Sequence, residues 1–219
     1  KIKYFNFLSP YVGVVCNGKN DSGIAVDLGD LSLSIVPVFE YKELNECAIY
    51  HPHCGYDIAL EFQNNLKPDS CFQMDIIKYS STRKNELIWS MHNLVRVGIN
   101  PKELKKYVNI GNHLITSSGS IQAPETILFN NTFNLSRKII EVAKNASEKT
   151  NQNINIFLSN IVIGGGVSYT NGLIEKLKSD IKRQYPMADI IENGKFQQID
   201  GLYTMASCTN FLLNQKDFI

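Results

Sequence analysis

The sequence predicts an α/β layer protein. Three observations carry this. An apolar strand-turn-strand lies near the amino end, an apolar run further on ends in three consecutive glycines, and strand-like and helix-like segments alternate through the second half. The strand-turn-strand is SGIAVDLGDLSLSIVPVFE, residues 22–40, with strands expected at 24–28 and 33–39. Its bend reads Asp27-Leu28-Gly29-Asp30. A plain surface hairpin favours Asn-Gly or Asp-Gly at the turn. Two carboxylates around one glycine, the first still within the strand, form a turn built to face something.

The remaining elements follow in order. Phe7 to Val15 is apolar with Pro10 inside it, and suits the end of a helix or a strand. Ile58, Phe62 and Leu66 recur at helical spacing over residues 56–66, and Pro68 closes that helix. Residues 69–108 are helical in pattern, with Leu87, Met91, Leu94 and Val95 on one face and a fresh start at Asn100-Pro101. Residues 111–124 read as extended and turn-rich. Leu135, Ile139, Val142 and Ala146 mark the next helix. Residues 156–163 suit a buried strand, ending at Gly164-Gly165-Gly166. A helix is expected over 172–185 through Leu173, Leu177, Ile181 and Tyr185, then a short strand over 189–192 and a last helix over 204–213.

Composition excludes some functions. At 219 residues and 43% hydrophobic content the chain can bury one large core or two small ones. The net charge is +1 and the basic residues are scattered, so the stripe of a nucleic-acid binder is missing. No apolar run approaches the ~18 residues of a membrane span, and no secretory signal is visible. Five cysteines at irregular spacing (Cys16, Cys47, Cys54, Cys71, Cys208) favour free thiols in a reducing compartment over a disulfide frame. The glycosylation-type triplets at Asn130 and Asn145 read as chance in an Asn-rich chain. The chain opens on Lys1 rather than methionine, and is expected to be the ordered part of a longer protein.

Two stretches carry chemistry. Glycines after a buried strand let backbone amides approach a ligand, and the following helix offers its positive end to phosphate or ribose oxygens. The same glycines also suit close helix-strand packing, and Asp27 and Asp30 also suit an ordinary turn. Cys47, His51, His53 and Cys54 invite a zinc reading, but Pro52 splays the histidines and no second pair sits at ligand spacing. Trp89 and Met91 read as core, His113 as surface, and Arg83-Lys84 and Lys105-Lys106 as solvated helix charge.

Taken in order, these strings resemble the actin family. Asp27-Leu28-Gly29-Asp30-Leu31 is similar to the actin hairpin Asp-Ser-Gly-Asp-Gly, and Gly164-Gly165-Gly166-Val167 to the later Ser-Gly-Gly-Thr. The run ending IVPVFE, the helix start CGYDIALEF, the segment APETILFNN, the stretch NIVIGGGVSYTNGLIEKLKSDI and the late MASCTNFLL each have a counterpart in family order, from about Ser22 onward. The resemblance implies a ribonuclease H-like fold of the kind shared by actins and heat-shock-chaperone ATPases, second lobe only. That is a mixed sheet flanked by helices, with residues 1–66 and 109–219 as its large subdomain and residues 67–108 as a small helical insertion. It implies ATP or ADP with Mg or Ca as cofactor, weakly held or absent in this half alone. Contacts would come from Asp27, Leu28, Gly29, Asp30, Gly55, Gly165, Gly166, Val167 and Lys195, with Asp27 and Asp30 reaching the divalent cation through its water shell.

Departures shape the functional expectation. The water-orienting glutamine of actins falls near Ser9 and the histidine that helps it at Ser34, and both hydroxyls are too short to align a nucleophile. Leu28 and Leu31 replace a Ser and a Gly, Ile199 to Tyr203 stands in for a Trp-Ile-Gly-Gly-Ser stretch, and Met91-His92 stands where actins have Lys-Glu. The first expectation is therefore a divergent actin-related protein. It would be a non-catalytic or weakly catalytic nucleotide-binding subunit, a cap or scaffold in a cytoskeletal assembly such as dynactin or in a chromatin remodeller. Its partners would be other actin-like subunits or members of a multi-subunit complex, with no direct nucleic acid or membrane contact, in the cytoplasm or the nucleus. The alternatives are a polymerising actin-like ATPase whose first lobe lies outside this chain, and a small-molecule kinase of the same superfold.

Overall fold

The computed structural model describes residues 9–18, 20–65, 67–68, 94–98, 109–110, 114–115 and 118–192. The expected helix at 204–213, most of 69–108, Trp89, Met91, His92, His113, Lys195, Cys71, Cys208 and residues 199–203 lie outside them. The ambiguous first segment is a helix, α1 (Pro10–Asn17). Proline occupies its first turn, where no N–H partner is needed, and the Ser9 side chain accepts from the Tyr11 N–H.

β1 (Gly23–Leu28) and β2 (Leu33–Phe39) form the expected hairpin. β3 (Lys42–Glu43) and β4 (Ile49–His51) both add to β2, and β8 (Ile161–Gly164) and β9 (Ile190–Glu192) extend the other side. The order is β3-β2-β1-β8-β9, with β4 also on β2. β2 runs antiparallel to β1, β3 and β4, whereas β1, β8 and β9 are parallel to one another. Pro37 sits inside β2 without breaking it. It falls between the residues paired with β4 and those paired with β3, and its carbonyl accepts from Leu44 N–H on that side, so its nitrogen faces the gap between the two partners.

Alternation assigns the faces. Ile24, Val26, Leu28, Leu33, Ile35, Ile161 and Ile163 belong to the main core, while Ala25, Val38 and Val162 pack with Val12, Val14, Val15 and Cys16 of α1. The main face is covered by α5 (Leu135–Thr150) and α7 (Leu173–Lys182), the latter over the β8 and β9 side. The four apolar positions read from sequence in α5 are all buried. Asn134 caps its start through Arg137 N–H, and Asn151 ends it in the left-handed conformation at φ 53°. In α7, Leu173, Leu177 and Ile181 are buried, and Tyr185 packs against the core beyond the helix end. Ser136 of α5 donates to Asp180 of α7, which Lys176 also pairs.

Between the hairpin and α5 lie α2 (Gly55–Asn64), β5 (Lys67–Pro68), β6 (Asn109–Ile110), β7 (Leu114–Ile115), α3 (Ser118–Ile121) and α4 (Ala123–Leu128). The last three strands form a separate small sheet in the order β5-β7-β6.

Two expectations change. Residues 156–163 are not one strand: α6 (Asn155–Leu158) precedes β8. Asn153 accepts from Asn155 N–H and starts a turn, and a short apolar run alone does not separate a helix from a strand. Residues 118–124, expected to be extended, are mostly helical, with Pro124 in the first turn of α4. Within residues 67–108, Val95 and Val97 are buried in the main core. The Asn130 side-chain nitrogen donates to the Thr126 and Ile127 carbonyls at the end of α4. Among the described residues no helix is long and apolar enough to cross a membrane.

Asn160 pins the layers together. It is fully buried at the entry to β8, and its amide nitrogen donates to the carbonyls of Val15 in α1 and Ser22 before β1, at 3.2 and 3.0 Å. Replacing Asn160 with Ala strands two buried acceptors and is expected to destabilise the chain by about 1–3 kcal/mol. Asn160→Asp adds a buried charge facing carbonyls and is expected to cost more. Urea unfolding midpoints test this, and an Ala variant as stable as the parent refutes it.

Candidate functional site

The parallel strands β1 and β8 end side by side, with Asp27 in register with Gly164. In open α/β sheets the crevice outside the carboxyl ends of parallel strands is where ligands bind. Across the sheet from Asp27 the register continues to Ser34 of β2 and Tyr50 of β4. One row on one face therefore holds a carboxylate, a buried hydroxyl and a phenol. This is the face covered by α1. The carboxyl end of α1 is tied near Ser22 through Asn160, so the helix runs back along β1 and its capped start lies toward this row.

Three elements meet at the strand ends. In the β1–β2 turn, Gly29 N–H donates to the Ser32 carbonyl at 3.0 Å. The start of α2 docks on that turn: Gly55 N–H donates to the Gly29 carbonyl at 3.1 Å and Tyr56 N–H to the Asp30 carbonyl at 2.7 Å. A Cβ on Gly55 would stand 3.0 Å from the Asp30 Cα. The next two amides of the helix are served by Cys54, and Asp57 closes the box by accepting from Cys54 N–H at 3.2 Å. The first amides of α2 are thus used to hold the hairpin and do not face an open anion site. The third element is Gly165, at φ +87°. A side chain there would collide with the Leu28 carbonyl and stand 2.6 Å from the Asp27 carboxylate.

Burial and charge are uneven. Asp27 is half-buried, and burial pushes its carboxyl above the ordinary value of 3.8. Among the described residues no donor pairs with that carboxylate. Asp30, Leu31 and Ser32 are exposed, Leu31 at 72%. Cys54 is buried beneath the turn, and burial pushes its thiol up to about 12, with the carboxylates of Asp27, Asp57 and Asp30 adding to the effect. Burial and a raised thiol value both disfavour the thiolate form that a nucleophile needs.

The structure thus brings together Asp27, Leu28, Gly29, Asp30, Gly55 and Gly165. Leu28 and Val167 send their side chains into the core, leaving only their backbone to the site. Gly166 is exposed with open space at its Cα, and Lys195 lies outside the described residues. Ser34 is buried beside Asp27, whereas the Ser9 hydroxyl is engaged as the cap of α1. Among the described residues no group of three or more His, Cys, Asp or Glu could hold a metal. His53 instead pairs with Asp57 at 3.0 Å, and His51 stacks on Phe133. Sequence reasoning missed Tyr50 and the role of Asp57. The Cys54-x-x-Asp57 spacing before an apolar helical pattern was the readable signal for the latter.

No protein-family model matches the chain, and no curated protein matches it.

Two predictions follow from this geometry. Gly165→Ala is expected to lower stability by about 1–3 kcal/mol, while Gly166→Ala, with nothing near its Cα, is tolerated. Thermal melts compare them, and equal effects would refute the seating of Gly165 on β1. For Asp27 the folded-state value is raised, so its favourable contribution is complete below the unfolded value and is lost as pH rises through the folded one. With a chelator present, Asp27→Asn is expected to melt higher than the parent at pH 7, the gain vanishing near pH 4 and below. A gain that grows toward acid pH contradicts this.

Proposed function

We propose that this chain is the second lobe of a divergent actin-related protein, with the ribonuclease H-like actin fold, acting as a nucleotide-holding structural subunit rather than an efficient ATPase. One observation carries the reading. The Asp27–Asp30 hairpin, the Gly165 turn and Gly55, far apart in sequence, converge at the ends of two parallel strands in one mixed sheet. That sheet holds β1, β2 and β8 and is flanked by α5 and α7, which supports the reading.

The residues fit a cation-bound nucleotide. Asp27 is a half-buried carboxylate with no donor among the described residues, and Asp30 stands at the exposed rim, so both would hold a Mg or Ca ion through its water shell. When bound, the ion neutralises phosphate charge. The Gly165-Gly166 backbone, open at Gly166, would approach the sugar and α-phosphate of ATP or ADP, and Lys195 would lie beside the base. Leu28 and Val167 would contribute backbone only.

At the two positions where the resemblance puts the water-aligning groups of actins, this chain has serines. Ser34 sits where the resemblance puts histidine, and its hydroxyl is buried and short. Ser9 stands near the position of the glutamine, and its oxygen caps α1. Binding and turnover therefore separate. The role that remains is a cap or scaffold among actin-like subunits, in a cytoskeletal or chromatin-remodelling complex of the cytoplasm or nucleus.

The test is Mg-ATP titration by calorimetry, with steady-state phosphate release measured alongside. One lobe supplies half of the phosphate contacts, so this chain is expected to bind more weakly than micromolar (about −8 kcal/mol) and to release no phosphate. Turnover at the rate of an assembling actin would favour a polymerising ATPase, and transfer of phosphate to a metabolite would favour a kinase.

A further inference from the structure

We propose that Glu125 is a positioning residue for the glycine turn, acting through a backbone strap at residues 94–98. The strap crosses between the loop before α7 and the α3–α4 block. Val95 and Val97 point into the core, and Arg96 points out. Arg96 N–H donates to the Ile121 carbonyl and Val97 N–H to the Asn171 carbonyl, each at 2.9 Å. Arg96 also forms a parallel bridge with Asn171.

The fit at Asn171-Gly172 is tight. Gly172 is at φ +83°, and a side chain on it would collide with the Val97 carbonyl. The strap's own end is held by a side chain. Gly98, at φ +76°, donates its N–H to the Glu125 carboxylate at 2.7 Å. A carboxylate accepting from an amide at this distance makes one of the stronger hydrogen bonds available. Among the described residues it is the one side-chain hydrogen bond to the strap.

From Gly172 the constraint continues to the site through consecutive turns. Leu173 N–H donates to Thr170, Thr170 N–H to Val167, and Ser168 to the Gly165 carbonyl from its amide at 3.2 Å and its hydroxyl at 2.7 Å. Gly165 in turn seats against Leu28 and the Asp27 carboxylate. Glu125 therefore fixes Gly98, the strap fixes Asn171-Gly172, and the linked turns fix the backbone beside Asp27. The inference rests on the proposed function only in treating that turn as ligand-facing. The coupling itself needs no nucleotide.

Hydrogen exchange on the 219-residue chain without nucleotide tests it. Glu125→Ala is expected to speed exchange about ten-fold at residues 96–98 and also at 165–173, leaving the amides at 139–147 in α5 unchanged. Glu125→Asp, too short to reach Gly98, is expected to do the same. Glu125→Gln keeps an oxygen in place and is expected to restore protection. Faster exchange confined to 96–98, an increase spread equally into α5, or an Asp variant matching the parent would each overturn the proposal. Such a result would leave the nucleotide reading to its own titration.

Discussion

Parallel pairing of β1 with β8 leaves two carboxyl strand ends side by side, and backbone groups at strand ends lose their ladder partners. The structure supplies new ones. The Gly29 and Asp30 carbonyls take the first two amides of α2, and the Gly165 turn lies against the Leu28 carbonyl. The two α2 contacts satisfy groups from both sides, the unfilled carbonyls of the hairpin and the unfilled amides of a helix start, whereas the Gly165 turn contributes close packing. The same contacts fix Asp27 and Asp30 in space. The candidate site is therefore built chiefly by main-chain pairing, with glycine where the main chains come closest.

That architecture gathers negative charge. Asp27, Asp30 and Asp57 all surround Cys54 closely enough to raise its thiol, and Asp27 is partly desolvated as well. Asp57 is accounted for by its box with Cys54 and its pairing with His53. A carboxylate kept half-buried with no donor among the described residues opposes folding, and a cation beside it would offset that cost. In the proposed function that cation arrives with the nucleotide, which makes the ligand part of the fold by linkage. A structural subunit gains from this whether or not the nucleotide turns over.

Two cores share the sheet. α1 covers one face with small side chains, while the other carries α5, α6 and α7 over the larger core, where Phe157 lies against Phe39 with ring centroids 6.1 Å apart. Asn160 ties α1 to both strand entries, and the strap at residues 94–98 ties the α3–α4 block to the start of α7. The first joint uses a side-chain amide on two backbone carbonyls and the second uses backbone pairs, both across segments distant in sequence.

By itself the sequence determined what short-range periodicity can encode. Alternation set β1 and β2, spacing of three and four set α5 and α7, and the Asp-Leu-Gly-Asp bend and the glycine run marked the two turns that matter. It misled at residues 156–158, expected to be strand, because an apolar run satisfies helix and strand equally until Asn153 starts a turn and β1 claims Ile161 onward. It misled at residues 118–124, expected to be extended, since a proline looks like a breaker unless it falls in a helix's first turn. Only the tertiary structure decided that Asp27 faces Ser34 and Tyr50, that Gly55 and Gly165 close on the same hairpin, and that Val95 and Val97 join the main core. Those are distances between residues tens of positions apart. Strand register and helix docking fix them, and no local pattern of residues carries that information.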